Sequence, residues 1–458
     1  MIGEPSARGL YVERAWSVAT LVAAAVILSG PAIYNRYPLL FPDTLGYLAS
    51  RDALVDLVRP DNVRPVFYGW LLLPFRFDGG LWAVVLAQGM LVAYMLRRTL
   101  GVLSGSWGHL ALLALAALLA TVTSLPWYVS HILPDIFAGL LILALFLLGG
   151  SDRALGWKER LALTALATAG ILVHLSHLAI AGAVFVVTVI LRWLLPNVAQ
   201  RISLRQVALP LGLAIAAMIG YAALANDGHL LPPHSPAFVL GRLFADGPGR
   251  AYLEGACVKQ TYLLCQYQDR LSGTTDEIMW RPSSPLWRRD LYQRVKAEEP
   301  AIILGTVGTF PLWVAQRVVI DFLKQLMTAY TEIYFDEEGA RQYFTQHPQM
   351  QQAFHSSRQG EGQLTTWSLR YISMLDGWVV LASVVACLAG AAVAVRQGDW
   401  LILHFMAVVA AGILANAFVC GVLSSGDGRY QARIVWLIPF AAIVGAARLI
   451  GTKRTVRP

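Results

Sequence analysis

The stretch "FPDTLGYL" places Asp43, Thr44 and Tyr47 directly after a long apolar run. A carboxylate at the edge of an apolar region can take a proton from a hydroxyl, because partial burial moves its pKa toward neutral pH. Asp43 equally suits the N-cap of a helix starting near Leu45. "RPDNVRPVFYGWLL" adds Arg59, Arg64 and Tyr68. Arg64, just before Pro65 at the start of an apolar helix, can grip a phosphate through two parallel hydrogen bonds. It can also sit at lipid headgroups with its stem in the apolar layer. In "WYVSHILPDIFAGLLILAL", His131 precedes Pro134 and Asp135 at the start of another apolar run. Proline favours the first helical turn, so a capping role is available here too. A second acid at the depth of Asp43 is the alternative, and two convergent acids say more than one.

Two further polar groups interrupt the apolar pattern. "ILVHLSHLAIA" holds His174, Ser176 and His177 between apolar runs, where ionisable groups are functional candidates because they are costly to leave unpartnered. The His-x-x-His spacing suits a metal, but no third or fourth ligand follows in sequence, and a plain helix-turn pair is the simpler reading. "SSGDGRYQARIVWLIP" carries Asp427, Arg429, Tyr430 and Arg433 in a glycine-flanked loop entering the last apolar run. Cations there need an explanation, and an anionic ligand such as a phosphate provides one.

The elements that must position these groups are membrane helices. The chain has 458 residues, 57% of them hydrophobic and 14% charged, with a formal net charge of +8; an ordinary soluble domain is about half apolar and about a quarter charged. Apolar runs of roughly 17–25 residues match the hydrocarbon layer of a bilayer. Ten spans are expected, at 16–34, 80–96, 109–124, 134–150, 160–174, 178–195, 206–226, 376–395, 401–421 and 434–450, with 66–75 as a short dipping helix. The first run lacks a small-residue cleavage site and reads as a retained helix. Arg97, Arg98, Arg153, Lys158, Arg160, Arg192, Arg201, Arg205, Arg396, Lys453, Arg454 and Arg457 fall on one side when both termini are cytoplasmic, as the positive-inside rule requires. The positive charge is thereby accounted for, and no basic, aromatic-interleaved stretch suggests nucleic acid as a partner.

The opposite, outer side receives the first loop 35–65, the segments 125–133 and 423–433, the short turn around 174–177, and the long stretch 227–375. All five polar groups collect on that side. The chain divides into an N-terminal seven-span module (1–226), an outer domain (227–375) and a C-terminal three-span module (376–458). Within the outer domain, Cys257 and Cys265 can pair if the compartment is oxidising. The stretch 301–327, apolar but broken by Gln316, Arg317, Asp321 and Lys324, reads as an amphipathic helix on the membrane surface, with a re-entrant or spanning segment as the alternative. Cys387 and Cys420 lie in apolar spans and read as small apolar residues.

No P-loop, GxSxG, HExxH or strand-borne Rossmann glycine pattern is present, which argues against an ATP-driven pump and a cytoplasmic nucleotide-sugar enzyme. The outline resembles the GT-C class of membrane glycosyltransferases: "FPDTLGYL" is similar to their first outer-loop acidic motif, and "GDGRYQARIVWLIP" to the "RY…P" segment before their last helices. The resemblance covers nearly the whole chain. It implies a polyprenyl-phosphate-linked sugar as donor and a glycan, lipid or protein acceptor on the periplasmic face of a bacterial inner membrane. Asp43 matches the acid that serves as base or positions the acceptor. Arg429 and Arg433 match cations for the donor phosphate. Many members carry an Asp-Glu or Glu-rich first loop where this chain has Asp-Thr, so a divalent metal stays open. On chemistry alone, Asp43, Asp135 and His131 are the catalytic candidates. Arg64, Arg429, Arg433 and Tyr430 are the phosphate candidates, and Tyr47, Tyr68, His174, His177 and Asp427 are further polar candidates on the outer face. A polysaccharide polymerase or ligase acting on a lipid-linked glycan, or a lipid or solute transporter, would share the basic outer face.

Overall fold

The computed structural model describes residues 7–52, 65–105, 107–150, 155–194, 202–225, 237–259, 262–288 and 290–455. Among these the chain is helical and has no strand; a lone parallel bridge joins Leu39 to His131. The helices are α1 (Ala7–Leu28), α2 (Gly30–Asn35), α3 (Pro42–Asp52), α4 (Phe67–Leu71), α5 (Gly80–Ser104), α6 (His109–Val122), α7 (Leu125–Ser130), α8 (Ile136–Gly150), α9 (Trp157–Leu172), α10 (Leu175–Leu194) and α11 (Leu204–Ala225). There follow α12 (Phe238–Asp246), α13 (Pro248–Ala256), α14 (Thr275–Trp280), α15 (Tyr292–Thr309), α16 (Pro311–Met327), α17 (Glu337–Gln346), α18 (Pro348–His355), α19 (Arg370–Gln397), α20 (Trp400–Val422), α21 (Gly428–Val435) and α22 (Leu437–Thr455).

Among the described residues six elements are long and apolar enough to cross a bilayer: α5, α10, α11, α19, α20 and the α21–α22 pair. α6, α8 and part of α1 are shorter apolar helices. Every residue of α8 is buried. A helix that is apolar all round belongs in the middle of its neighbours, and α5, α9, α10, α11, α20 and α21 surround it. Close approach is built in by small residues: a Cβ on Gly139 of α8 would lie 2.5 Å from the Trp436 ring.

Within the segment 227–375, expected as one outer domain, the described residues are taken in three parts. Helices α12–α15 enclose a core of their own around Leu240, Phe244, Leu264, Ile278 and Ile302, and Cys257 and Cys265 are bonded within it, with Cα atoms 5.7 Å apart. The stretch 301–327 breaks at Phe310–Pro311, where α15 and α16 meet at 101°; Pro311 supplies no backbone N–H and suits a helix start. α16 is amphipathic, as expected. Its polar side turns inward, with Asp321 buried between Arg242 and Arg317 (Arg317 Nη2 to Asp321 Oδ1, 3.0 Å). Its apolar side, with Leu312, Val319 and Met327, is exposed.

The third part, 328–369, holds the stretch leading into α3 in place. Gln359 bonds both backbone groups of Leu40: the Leu40 N–H donates to Gln359 Oε1 (3.1 Å), and Gln359 Nε2 donates to the Leu40 carbonyl (2.7 Å). The Gln359 N–H donates to Asn35 Oδ1 at 2.8 Å. From the other side, the Leu39 N–H donates to the Ser130 carbonyl (2.9 Å) and the Ile132 N–H to the Leu39 carbonyl (3.1 Å). The loop that carries Asp43 is thus tied to the segment that carries His131 and Asp135.

Gln359→Ala leaves two buried backbone groups of Leu40 unsatisfied. Unsatisfied buried groups cost about 1–3 kcal/mol each, so the thermal unfolding midpoint in detergent is expected to fall by several degrees. An unchanged midpoint would show that this clamp holds nothing.

Candidate functional site

The site lies where the first loop, the start of α8, the start of α10 and helix α21 meet. Asp43 is not an N-cap. α3 begins one residue earlier, at Pro42, so Asp43 sits in its first turn, where a carboxylate complements the helix dipole. Thr44 fixes the turn instead: its Oγ1 accepts the Phe41 N–H (3.0 Å) and donates to the Ile132 carbonyl (3.1 Å). Asp135 occupies the turn leading into α8, its carbonyl accepting the Ala138 N–H.

α21 is short and held by side chains from other elements. Asp427 caps it, accepting the Arg429 N–H at 2.6 Å. Its carbonyls are taken by Gln325 (at Asp427, 2.7 Å), Tyr128 (at Arg429, 2.8 Å), Asn416 (at Tyr430, 2.7 Å) and Ser124 (at Ala432, 2.6 Å). Side-chain donors from α16, α7, α20 and the α6–α7 junction thereby satisfy groups that a one-off short helix leaves open. They also set the directions of Arg429 and Arg433.

The two arginines differ sharply. Arg433 is fully buried and engaged through both terminal nitrogens: Nη1 lies 2.8 Å from Asp135 Oδ1, and Nη2 reaches Ser176 Oγ at 2.8 Å and Asn416 Oδ1 at 2.7 Å, while Nε has no partner among the described residues. Cys420, expected as an ordinary apolar residue, touches the same nitrogen at 3.6 Å. Arg429 stands between the two acids, with Nη2 3.4 Å from Asp43 Oδ2 and Nη1 3.8 Å from Asp135 Oδ2. Its guanidinium covers the Phe41 ring at 4.0 Å and the Tyr430 ring at 4.9 Å. The side chain is 7% exposed, yet Nε and Nη1 have no hydrogen-bond acceptor among the described residues. Buried charged donors are rarely left in this state, and a cation held flat with open donors is a place for an oxyanion.

The remaining expected residues surround this pair. His131 is buried, with Nδ1 at 2.8 Å from the Trp127 carbonyl and Nε2 without a partner among the described residues. His174 and His177 stack at 5.0 Å. His174 Nδ1 is 2.8 Å from Ser176 Oγ, which links it to Arg433, and His177 Nδ1 is 2.6 Å from the Gly170 carbonyl. Among the described residues no three His, Cys, Asp or Glu side chains are grouped to hold a metal. Tyr47 and Tyr68 meet edge to face at 5.1 Å, both buried, and the Tyr68 hydroxyl donates to Gln88 at 3.2 Å. They form a wall behind the loop. Arg64 lies outside the described residues.

The outer lobe adds an acid that the sequence reading did not single out. Asp276 of α14 bonds to Ser425 beside the Asp427 cap, and burial together with the Asp427 charge pushes its carboxyl upward. Asn416 was also missed, although an amide inside the apolar run of α20 is the kind of signal that marks a buried partner.

No family model, curated protein or solved structure matches this chain. The site therefore rests on its geometry.

Asp135→Asn removes the anion facing Arg433 and leaves a buried unpaired cation, a change that costs about 3–5 kcal/mol. The double change of Asp135→Leu with Arg433→Met removes both charges and is expected to unfold at a higher temperature than Asp135→Asn alone. A double variant less stable than the single one would show that the pair is not the source of the stability.

Proposed function

We propose that the protein is a membrane glycosyltransferase of GT-C type. It would move a sugar from a polyprenyl-phosphate donor to a glycan, lipid or protein acceptor at the outer face of the bacterial inner membrane. The observation that carries the reading is Arg429, a buried cation with open donors set between Asp43 and Asp135. Both termini would be cytoplasmic, and the ten helical segments expected from the sequence would serve as the spans.

Sugar transfer from a lipid phosphate makes two demands on the protein. The attacking hydroxyl must lose a proton, and the departing phosphate must be stabilised as its bond to the anomeric carbon breaks. A lipid phosphate is confined to the headgroup plane, so the groups that handle it must lie there. Arg429 is the donor-phosphate residue in this reading, with Tyr430 beside it. Asp43 faces the acceptor as base or positioning acid. Arg433, engaged by Asp135, Ser176 and Asn416, positions Asp135 and α21 and leaves little for a ligand. His131 flanks the acids with an open Nε2. The acidic rim of Asp276 and Asp427 disfavours a second anion, which suits a neutral, hydroxyl-bearing acceptor.

In proteoliposomes given a radiolabelled polyprenyl-phosphate sugar, wild-type protein is expected to form a covalent product. Asp43→Asn should lower that rate on the order of 100-fold or more, in the range of acid–base contributions. Full activity of the variant would remove Asp43 from the site. Label that crosses the vesicle without covalent product would identify a transporter, and a lipid-linked glycan growing by many units would identify a polymerase. Orientation has a separate check: a cysteine at Ser425 should react with an impermeant reagent from outside intact cells, and reaction only after permeabilisation would reverse the topology.

A further inference from the structure

Between α16 and α17 the chain runs beside the site as the segment 328–336. It has neither helix nor turn, and its ends are extended, with Thr328 at φ −107°, ψ 105° and Asp336 at φ −94°, ψ 98°. In extended backbone alternate side chains take opposite faces, and burial follows that rule here. Thr331 and Ile333 are 2% and 4% exposed. Ile333 packs inward with Leu39, Trp127 and Leu369. The segment is pinned on this side: the Thr331 N–H donates to Ser373 Oγ at 3.2 Å, and Thr366 Oγ1 bonds both backbone groups of Ile333 at 2.9 and 3.0 Å.

Tyr330, Glu332 and Tyr334 take the other face. The Tyr330 ring lies against Gly428, where a Cβ would run into it. Tyr334 meets the Phe41 ring edge to face at 6.4 Å, and Phe41 is the ring that carries the Arg429 guanidinium. Glu332 lies between these two tyrosines in sequence, and they touch neighbours of Arg429, Gly428 and Phe41. The charged groups facing it are Asp427 and Arg429 from α21 and its cap, Asp276 from α14 and Asp43 from α3. Its own segment supplies Tyr330.

We infer that Glu332 is the proton acceptor of the transfer step, with Asp43 orienting the attacking hydroxyl; this rests on the transferase reading above. The acceptor O–H bond would break with its proton passing to the Glu332 carboxylate. The acceptor oxygen would bond to the anomeric carbon. The bond from that carbon to the phosphate oxygen would break, its electron pair leaving on the polyprenyl phosphate beside Arg429. Burial and, next, the Asp427 charge push the Glu332 carboxyl up to about 7, matched to proton transfer near neutral pH. Neither a motif nor a helix edge marks this residue in sequence.

The test has two arms. In the first, wild-type transfer should rise with pH through about 7, because the group must be ionised to accept the proton. Glu332→Gln should lower transfer by roughly 10²–10⁴-fold and lose that rise, while Glu332→Asp keeps a rise at a shifted pH. Wild-type activity with Glu332→Gln equally active and equally pH-dependent would overturn the inference and leave the transferase standing. The second arm measures binding of a sugar-free polyprenyl phosphate at about pH 6 and about pH 8, on either side of the transition. An ionised Glu332 beside Arg429 opposes an anion, so wild-type affinity should fall more steeply with pH than that of Glu332→Gln. The ligand's own titration is common to both proteins. Parallel binding profiles overturn the placement of Glu332 even where no transfer is seen, and a wild type that neither transfers nor binds overturns both readings.

Discussion

A buried ion pair organises the membrane part of this protein. Arg433 and Asp135 lie 2.8 Å apart in surroundings that exclude water, and a lone charge there would be costly. Satisfying both groups requires four elements at once: the turn into α8 for Asp135, α21 for Arg433, the start of α10 for Ser176 and α20 for Asn416. Helices that share an apolar surface can slide or rotate against one another with little change in area. Hydrogen bonds to one guanidinium allow far less freedom. The pair fixes the depth and rotation of α21, and α21 carries Arg429.

Arg429 then acquires its character by contrast. One helical turn from an arginine whose two terminal nitrogens are both bonded stands another, nearly as buried, flanked by two carboxylates and two aromatic rings, with Nε and Nη1 open. Loops alone would not hold that geometry. The Gln359 clamp and the Leu39–His131 bridge bring Asp43 to it, and the α12–α15 lobe and the segment 328–336 add the charges of Asp276 and Glu332 to its surroundings. The result is a charged cluster at the ends of apolar helices. In the proposed function, a substrate with a lipid tail and a polar head would present its reactive bond there.

The apolar runs of the sequence carried the helical, membrane character directly, because a bilayer demands long uninterrupted apolar stretches. Charge bias placed the polar groups on one side, and the structure gathers Asp43, Asp135, Arg429 and Arg433 within a few ångströms. Roles within the group were less legible. That Arg433 has both terminal nitrogens bonded while Arg429 leaves Nη1 open depends in part on Ser176 and Asn416, more than 200 residues and 17 residues away in sequence. The capping alternative for Asp43 turned on a helix start one residue upstream of it, and Pro42 signals such a start. The break in 301–327 was written in Phe310–Pro311 but masked by the continuous apolar pattern. Glu332 left the faintest trace: the alternation of Tyr330, Glu332 and Tyr334 with Thr331 and Ile333 is too short to stand out among loop residues.

The central claim is that Arg429 is an anion site built for a lipid phosphate. It is tested most directly by the affinity of a radiolabelled polyprenyl phosphate for wild-type protein and for Arg429→Gln in the same detergent, with thermal unfolding confirming that both are folded. A charge-assisted hydrogen bond is worth about 1.5–3 kcal/mol, so the variant should bind roughly 10–100-fold more weakly. Equal affinity in two folded proteins would contradict the claim.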